Sequence, residues 1–156
     1  LELGCQEVWA SDLHAHKVSA CRAEILRLHL PNIPLFAADA TKPPLARNRA
    51  QSILLDVPCS GLGVLSRRPD IKAKRRPQDL SALTTLQGSM LRACLSALPR
   101  GGLLVYISCT LCPEENEHII RTVVDQTSSR GKVRSMHLPD PTSPLGEYFF
   151  SASIKI

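Results

Sequence analysis

The sequence predicts an α/β fold, in which helices cover both faces of a mostly parallel β-sheet. Three observations predict it. Short apolar runs rich in β-branched residues recur along the chain, helical patterns separate several of them, and polar residues follow the ends of the runs. At 156 residues the chain has the length of one domain, so residues 1–156 are interpreted as a single domain.

Six runs are predicted to form strands, and three helices lie among them. The strands are predicted at residues 7–11, 33–37, 52–56, 103–108, 133–137 and 148–154. Apolar residues at helical spacing predict helices at residues 17–30 and 79–98, and a pair of glycines ends the second. Pro113 opens a third helix, with Glu114 and Glu115 in its first turn. Because ligands of such sheets bind beyond the carboxyl ends of the strands, we expect the functional residues there.

The charge of the chain is compatible with a polyanionic partner. Nineteen Lys and Arg residues against fourteen Asp and Glu residues give a formal net charge of +5. Six of the basic residues fall within ten positions, where a solvated loop and a nucleic-acid-binding segment are both open interpretations. This basic segment contains Arg67, Arg68, Lys72, Lys74, Arg75 and Arg76.

Cysteine usage and hydropathy indicate the compartment. The six cysteines are irregularly spaced, and no export signal is visible, so we expect reduced thiols and a cytoplasmic location. The apolar runs are far too short to cross a bilayer, and no membrane partner is expected.

The first cysteine motif follows the third predicted strand and reads DVPCSG, at residues 56–61. Pro58 fixes the backbone direction at the end of the strand, so Asp56 and Cys59 are expected to project into the ligand cleft. A cysteine in such a loop is a reactive thiolate if its surroundings are electropositive, and otherwise a small buried thiol. The residues alone leave both interpretations open.

The second cysteine motif follows the fourth predicted strand and reads YISCTLCPEENE, at residues 106–117. Amides at the start of the next helix would stabilise a Cys109 thiolate, although the acidic residues of its first turn oppose that field. Cys109 and Cys112 also form a Cys-x-x-Cys pair, which leaves a thiol redox protein as a weakly supported alternative. A zinc site needs further ligands, and His118 alone does not complete a set, so no metal is expected.

Together the two motifs resemble those of the Sun (Fmu) family of RNA cytosine-5 methyltransferases. The resemblance covers nearly the whole chain and includes the basic segment, the LQ pair at residues 86–87, the GG pair at 101–102 and the closing GEYFFSA at 146–152. It implies a Rossmann-like class I methyltransferase fold with an antiparallel last strand, and residues 1–156 as its catalytic domain. It also implies S-adenosylmethionine as cofactor and RNA as substrate, with ribosomal RNA ahead of transfer RNA.

The resemblance gives each candidate residue a role. Cys109 matches the cysteine that adds to carbon 6 of cytosine, and Cys59 the one that assists product release. The residues alone do not rank the two, because DNA cytosine methyltransferases use a Pro-Cys cysteine as nucleophile. Asp56 would hydrogen-bond the cytosine ring and stabilise charge during addition, and it is also expected to bind the cofactor. Asp12 and Asp39 would bind the ribose and the adenine of the cofactor, although an isolated Asp at a strand end is usually a cap or turn residue.

The sequence departs from the family at its N-terminal end. The family's first strand and its glycine-rich cofactor loop, of the Ala-Pro-Gly-Gly-Lys type, are missing, and LELG at residues 1–4 matches the end of the helix that follows them. We therefore expect the isolated chain to bind S-adenosylmethionine weakly or not at all, which would leave it inactive alone. An RNA cytosine-5 methyltransferase is the leading hypothesis. The alternative is a catalytically inactive RNA-binding or assembly module that keeps the fold.

Overall fold

A computed structural model describes residues 7–31, 33–45, 49–127, 131–140, 142 and 148–156. The chain divides into two compact units, Leu1–Pro44 and Leu45–Ile156. The LELG segment at residues 1–4 and Cys5 lie outside the described residues, as do residues 146 and 147 of the closing family motif.

The described residues of the first unit form two parallel strands and one helix. Strand β1 (Ala10–Asp12) pairs in register with β2 (Leu35–Ala37), and α1 (Ala15–Arg27) contacts both. Strand β2 begins later than predicted, since Pro34 has no N–H to donate to a ladder. Helix α1 ends three residues before the predicted end, because His29 adopts a left-handed conformation with φ of 52°.

The second unit contains a four-stranded sheet in the order β3-β4-β6-β5. Strand β3 (Ser52–Asp56) runs parallel to β4 (Leu103–Ser108). The last strand, β6 (Phe150–Lys155), is antiparallel to both β4 and β5 (Lys132–His137), as predicted. Among the described strands, the parallel pairs are therefore β1–β2 and β3–β4, and both antiparallel pairs involve β6.

Three α-helices lie among the described residues of the second unit: α2 (Asp70–Lys74), α3 (Pro77–Ala97) and α4 (Glu117–Gln126). Helix α2 lies inside the basic segment that was predicted as a loop, where an ion pair four residues apart stabilises a single turn. Helix α3 packs on β3, β4 and α4. Because β3 and β4 are parallel neighbours with α3 against both, the loops that follow the two strands lie at one end of the sheet.

The helix predicted to open at Pro113 forms in two parts. Pro113–Glu115 makes one turn of 3-10 helix, and α4 begins only at Glu117. Between them Asn116 leaves the helical region, with φ of −110° and ψ of −112°. Glu115, predicted in the first turn of this helix, is fully buried.

Alternating residues of β4 and β6 build the core of the second unit. Leu104, Tyr106, Phe150 and Ile154 have no exposed surface, and the rings of Tyr106 and Phe150 meet edge to face with centroids 6.1 Å apart. Burying each such side chain contributes roughly 1.5–3 kcal/mol before entropic costs. None of the helices that the structure describes is long and apolar enough to span a membrane.

Candidate active site

The loops that follow β3 and β4 bring Cys59 and Cys109 into contact. The register of the parallel pair sets Asp56 opposite Ile107, so the two strands end side by side. The Sγ atoms lie 3.1 Å apart, and the backbone N–H of Cys109 donates to Sγ of Cys59 at 3.4 Å. Cys59 is 8% exposed, whereas Cys109 is partly exposed. The two sequence motifs therefore form one site, with Cys109 on the accessible side.

The two thiols titrate in opposite directions. The hydrogen bond from Cys59 lowers the pKa of Cys109 from 9.0 to about 7, although burial and the negative charge of Asp56 oppose this shift. The same hydrogen bond, followed by burial, raises the pKa of Cys59. At neutral pH the accessible sulfur is thus substantially a thiolate, and the buried one keeps its proton and donates it.

Two glycines shape the loop after Cys59. Gly61 has a φ of +76°, a left-handed conformation that turns the backbone sharply at the end of the first motif. Gly63 N–H donates to the carbonyl of Cys109 at 3.0 Å, and Gly63 O accepts from Tyr148 N at 2.8 Å. A Cβ on Gly63 would lie 2.2 Å from the carbonyl oxygen of Tyr148. The sequence patterns considered above did not single out Gly63. The GLG spacing at residues 61–63 is the feature that could have indicated it.

A buried polar cluster lies behind the two cysteines. The Glu115 carboxylate accepts hydrogen bonds from Ser60 N at 2.8 Å, Gln87 Nε2 at 2.9 Å and Thr110 Oγ1 at 3.1 Å. Sequence reasoning matched these positions to family motifs but assigned them no function. Gln87 could have been recognised from the sequence. It is a polar residue on the apolar stripe of α3, four positions before Leu91.

Arg75, a candidate RNA contact, binds the backbone of the first cysteine loop. Its Nε donates to the carbonyl of Ser60 at 3.1 Å, and its Nη2 to the carbonyl of Cys59 at 3.0 Å. The planar guanidinium thus holds two consecutive carbonyls with two parallel N–H groups. In this structure Arg75 supports the candidate catalytic loop.

The other residues of the basic segment lie at the surface. Arg68 and Lys74 pair with Asp70 at 3.2 Å and 2.9 Å, and these two hydrogen bonds lower the pKa of Asp70 to about 2. Ion pairs this exposed contribute little to stability, so a phosphate could compete for the two cations. The remaining members of the predicted set are also exposed: Arg67, Lys72 and Arg76.

In the first unit, Asp12 is the last residue of β1, and Asp39 follows the end of the parallel neighbour β2. One oxygen of Asp12 accepts from His14 N at 2.8 Å, and the other lies 3.5 Å from Nζ of Lys17. Oδ1 of Asp39 accepts from Thr41 N and Oγ1, both at 2.8 Å. The backbone hydrogen bonds lower both carboxyl pKa values. Each Asp thus has the turn role that is usual at a strand end. Its ionised carboxylate can also accept hydrogen bonds from the hydroxyl and amino groups of a nucleoside.

The close sulfur pair is not the Cys-x-x-Cys pair. Cys109 contacts Cys59, while Sγ of Cys112 lies 3.9 Å from the Ser60 hydroxyl oxygen. Over the part of the chain that the structure describes, no group of three or more His, Cys, Asp or Glu residues could hold a metal ion. The geometry favours joint action of Cys59 and Cys109 over Cys-x-x-Cys redox chemistry.

The fold is that of a class I S-adenosylmethionine-dependent methyltransferase. NSun6 from Pyrococcus horikoshii, solved with the cofactor analogue SFG, superposes with a TM-score of 0.83 at 30% identity, over 96% of this chain and 41% of that one. The structure titled PH0851 superposes with a TM-score of 0.84 at 22% identity, over 96% of this chain and 37% of that one, and shows the fold alone.

The family follows from the sequence comparisons. A family model described as 16S rRNA methyltransferase RsmB/F matches residues 2–144, and the chain belongs to this family. Ribosomal RNA small subunit methyltransferase B of Pseudomonas putida is 40% identical over 128 residues, which cover 81% of this chain. The probable enzyme of the same name from Bacillus subtilis is 36% identical over 121 residues, 76% of this chain. The chain spans 29% and 27% of the lengths of these two relatives. The resemblance to the Sun family is therefore confirmed.

Proposed function

We propose that residues 1–156 belong to the catalytic domain of a methyltransferase that modifies carbon 5 of cytosine in RNA through a covalent adduct on Cys109. The observation that carries the proposal is the 3.1 Å contact between one accessible and one buried sulfur. Family membership supports ribosomal RNA as the substrate. S-adenosylmethionine would supply the electrophilic methyl group, held in part by Asp12 and Asp39.

Carbon 5 of cytosine is too weak a nucleophile to attack a methyl sulfonium unaided. In the proposed mechanism the Cys109 thiolate adds to carbon 6, and the electrons of the 5,6 double bond make carbon 5 enamine-like and nucleophilic. A pKa of about 7 provides a thiolate at neutral pH. Asp56, at the end of β3, is assigned to hydrogen-bond the cytosine ring and stabilise the charge that develops during addition.

Cys59 is assigned to the release step. After methyl transfer the proton on carbon 5 passes to a base such as water, its electron pair re-forms the 5,6 double bond, and the bond from carbon 6 to Cys109 breaks. Cys109 then departs as a thiolate, which a neighbouring S–H donor stabilises as a leaving group. A buried Cys59 that keeps its proton at 3.1 Å is suited to this task. The unequal burial of the two sulfurs thus supports the same ranking of the cysteines as the family resemblance.

Covalent trapping tests this proposal. RNA in which 5-fluorocytosine replaces the target is expected to remain bound to the full-length protein through Cys109, since fluorine cannot leave carbon 5 as a proton does. Denaturing electrophoresis would show the adduct in the wild-type protein and in Cys59→Ala, but not in Cys109→Ala. Cys21→Ala, an exposed thiol of α1, is the matched control. Loss of the adduct in Cys59→Ala alone would reverse the two roles. Absence of an adduct in the wild-type protein would favour the RNA-binding or assembly module instead.

The target base would have to leave its stack to reach Cys109, while the basic segment binds the flanking phosphates. Replacing Lys72 or Arg76 with Ala is expected to weaken RNA binding at low salt and to reduce the slope of log affinity against log salt by about 1 each. Filter binding at several salt concentrations measures the slope. Arg121→Ala, an exposed cation of α4, is the control. Equal slopes for all three variants would contradict the assignment.

A further inference from the structure

The buried carboxylate of Glu115 has a role that the proposed chemistry does not yet use. An ionised carboxylate out of contact with water is costly unless hydrogen-bond donors compensate it. Glu115 is 0% exposed, and its three donors come from three different elements. Ser60 lies in the loop after β3, Thr110 in the loop after β4, and Gln87 on α3. The carboxylate therefore joins the two cysteine loops to the helix behind them.

The hydrogen-bond directions in this cluster can be assigned by counting donors and acceptors. The Thr110 hydroxyl has one proton, which it donates to Glu115. Its two acceptor positions take Cys112 N at 3.2 Å and the Ser60 hydroxyl at 2.6 Å, so Ser60 is the donor of that short bond. Gln87 Nε2 donates to the Pro58 carbonyl at 2.9 Å as well as to Glu115, and since both partners only accept, its amide orientation is set.

The turn that carries Glu115 is itself held by β4. Tyr106 OH donates to the backbone carbonyl of Glu115 at 2.7 Å. Ser108 Oγ donates to Oδ1 of Asn116 at 2.6 Å, and Nδ2 of Asn116 donates to the carbonyl of Thr110 at 3.0 Å. All five residues are buried. These hydrogen bonds fix the backbone that carries the Glu115 carboxylate. Glu115 therefore cannot move freely with either cysteine loop.

Three residues of the cluster are direct sequence neighbours of a candidate catalytic cysteine. Pro58 and Ser60 flank Cys59, and Thr110 follows Cys109. We infer that Glu115 is a positioning residue, which sets the contact between the sulfurs of Cys59 and Cys109 by holding their two loops in register. The inference rests on the proposed function for the roles of those sulfurs, while the contact itself can be measured without substrate.

Two substitutions separate the charge of Glu115 from its volume. Glu115→Ala leaves three buried donors without their acceptor and frees the loops from each other. Glu115→Gln keeps the volume, and its one amide oxygen can still accept from Ser60 N and Gln87. Its NH2 group would then face Thr110, whose proton must turn toward Ser60. The glutamine variant is expected to retain part of the network and rescue part of the effect.

The test is the rate at which the thiol-oxidising reagent diamide converts Cys59 and Cys109 to a disulfide in the full-length protein. The two thiols lose two hydrogens, and the reagent's N=N bond takes them up. Cys109 and Cys112 share one tryptic peptide, so all variants carry Cys112→Ser, and mass spectrometry maps the linkage. Since small displacements of reacting groups cost large factors in rate, we expect formation about tenfold slower in Glu115→Ala and roughly threefold slower in Glu115→Gln. Glu114→Ala, an exposed acid on the same turn, should match the parent.

The outcomes are distinct. A folded Glu115→Ala protein, judged by cooperative thermal unfolding, that forms the disulfide at the parent rate overturns the inference. A lowered melting temperature with an unchanged rate identifies a purely structural residue and overturns it too. If Glu115→Ala does not fold, Glu115→Gln decides: a slowed rate supports the inference, and the parent rate overturns it. The disulfide test needs neither RNA nor cofactor. If the rates are as expected but 5-fluorocytosine trapping fails, only the proposed function is contradicted.

Discussion

Replacing Cys59 with Ala is expected to raise the pKa of Cys109 from about 7 toward the 9.0 of an ordinary thiol. The shift has this sign because the S–H of Cys59 is the largest stabiliser of the thiolate, and alanine has no donor. Two pKa units reduce the thiolate fraction at about pH 6 by roughly a hundredfold. The alkylation rate should fall only about tenfold, because the more basic thiolate is intrinsically more nucleophilic.

Iodoacetamide labelling of Cys109, followed by mass spectrometry from acidic to alkaline pH, measures this shift. The wild-type rate should rise with pH and reach half its plateau near pH 7, whereas the variant should still be rising near pH 9. Cys59→Ser is the matched control, since its hydroxyl keeps a donor beside Cys109 and should hold the midpoint low. An unchanged midpoint in Cys59→Ala would show that another group stabilises the thiolate.

The elements that carry the cysteines could be predicted because local pattern decides them. Strands β3 and β4 occupy the predicted residues 52–56 and 103–108, since each is an unbroken run of strand-forming residues. Their convergence also followed from sequence, because a parallel α/β sheet brings the carboxyl ends of neighbouring strands together. The 3.1 Å sulfur contact agrees with that expectation.

The supporting residues could not be predicted, because their partners are remote in sequence. Glu115 follows Pro113 and Glu114, a pattern typical of an exposed first helical turn. Its burial depends on donors 55 and 28 residues away, at Ser60 and Gln87. Arg75 lies among five other cations, and only the fold reveals carbonyl acceptors 15 and 16 residues away. A charged residue type usually predicts an exposed side chain. The prediction fails where buried hydrogen-bond partners compensate the charge.

The family resemblance ranks the two cysteines, and the structure supports the same ranking by a different observation. Both follow a strand and both lie in motifs of the same family, so spacing treats them alike. The difference is solvent access: Cys59 lies 8% exposed beneath the loop, while Cys109 remains partly exposed beside it. Burial disfavours the charged form, so the hidden sulfur keeps its proton and the accessible sulfur carries the charge.

Replacing Gly63 with Ala is expected to destabilise the protein and disable the site together. The new Cβ would lie 2.2 Å from the carbonyl oxygen of Tyr148 and 3.0 Å from the carbonyl carbon and oxygen of Cys109. These atoms are backbone, so the clash is relieved only by moving the Cys109 loop or the start of β6. Overpacking of this kind costs about 3 kcal/mol, which lowers the melting temperature by roughly 6–12 °C in a domain of this size.

Thermal unfolding and the diamide rate would measure the two consequences on the same sample. Gly131→Ala is the matched control, because its Cβ would meet side-chain atoms rather than backbone, at 3.3 Å from Cγ2 of Ile154 and 4.0 Å from Cδ1 of Ile156. Gly63 N–H also donates to the Cys109 carbonyl, so displacement of this loop should slow Cys59–Cys109 disulfide formation about tenfold or more. A Gly63→Ala protein that melts and cross-links like the wild type would mean that the close approach of these three backbone segments does not hold Cys109 in place.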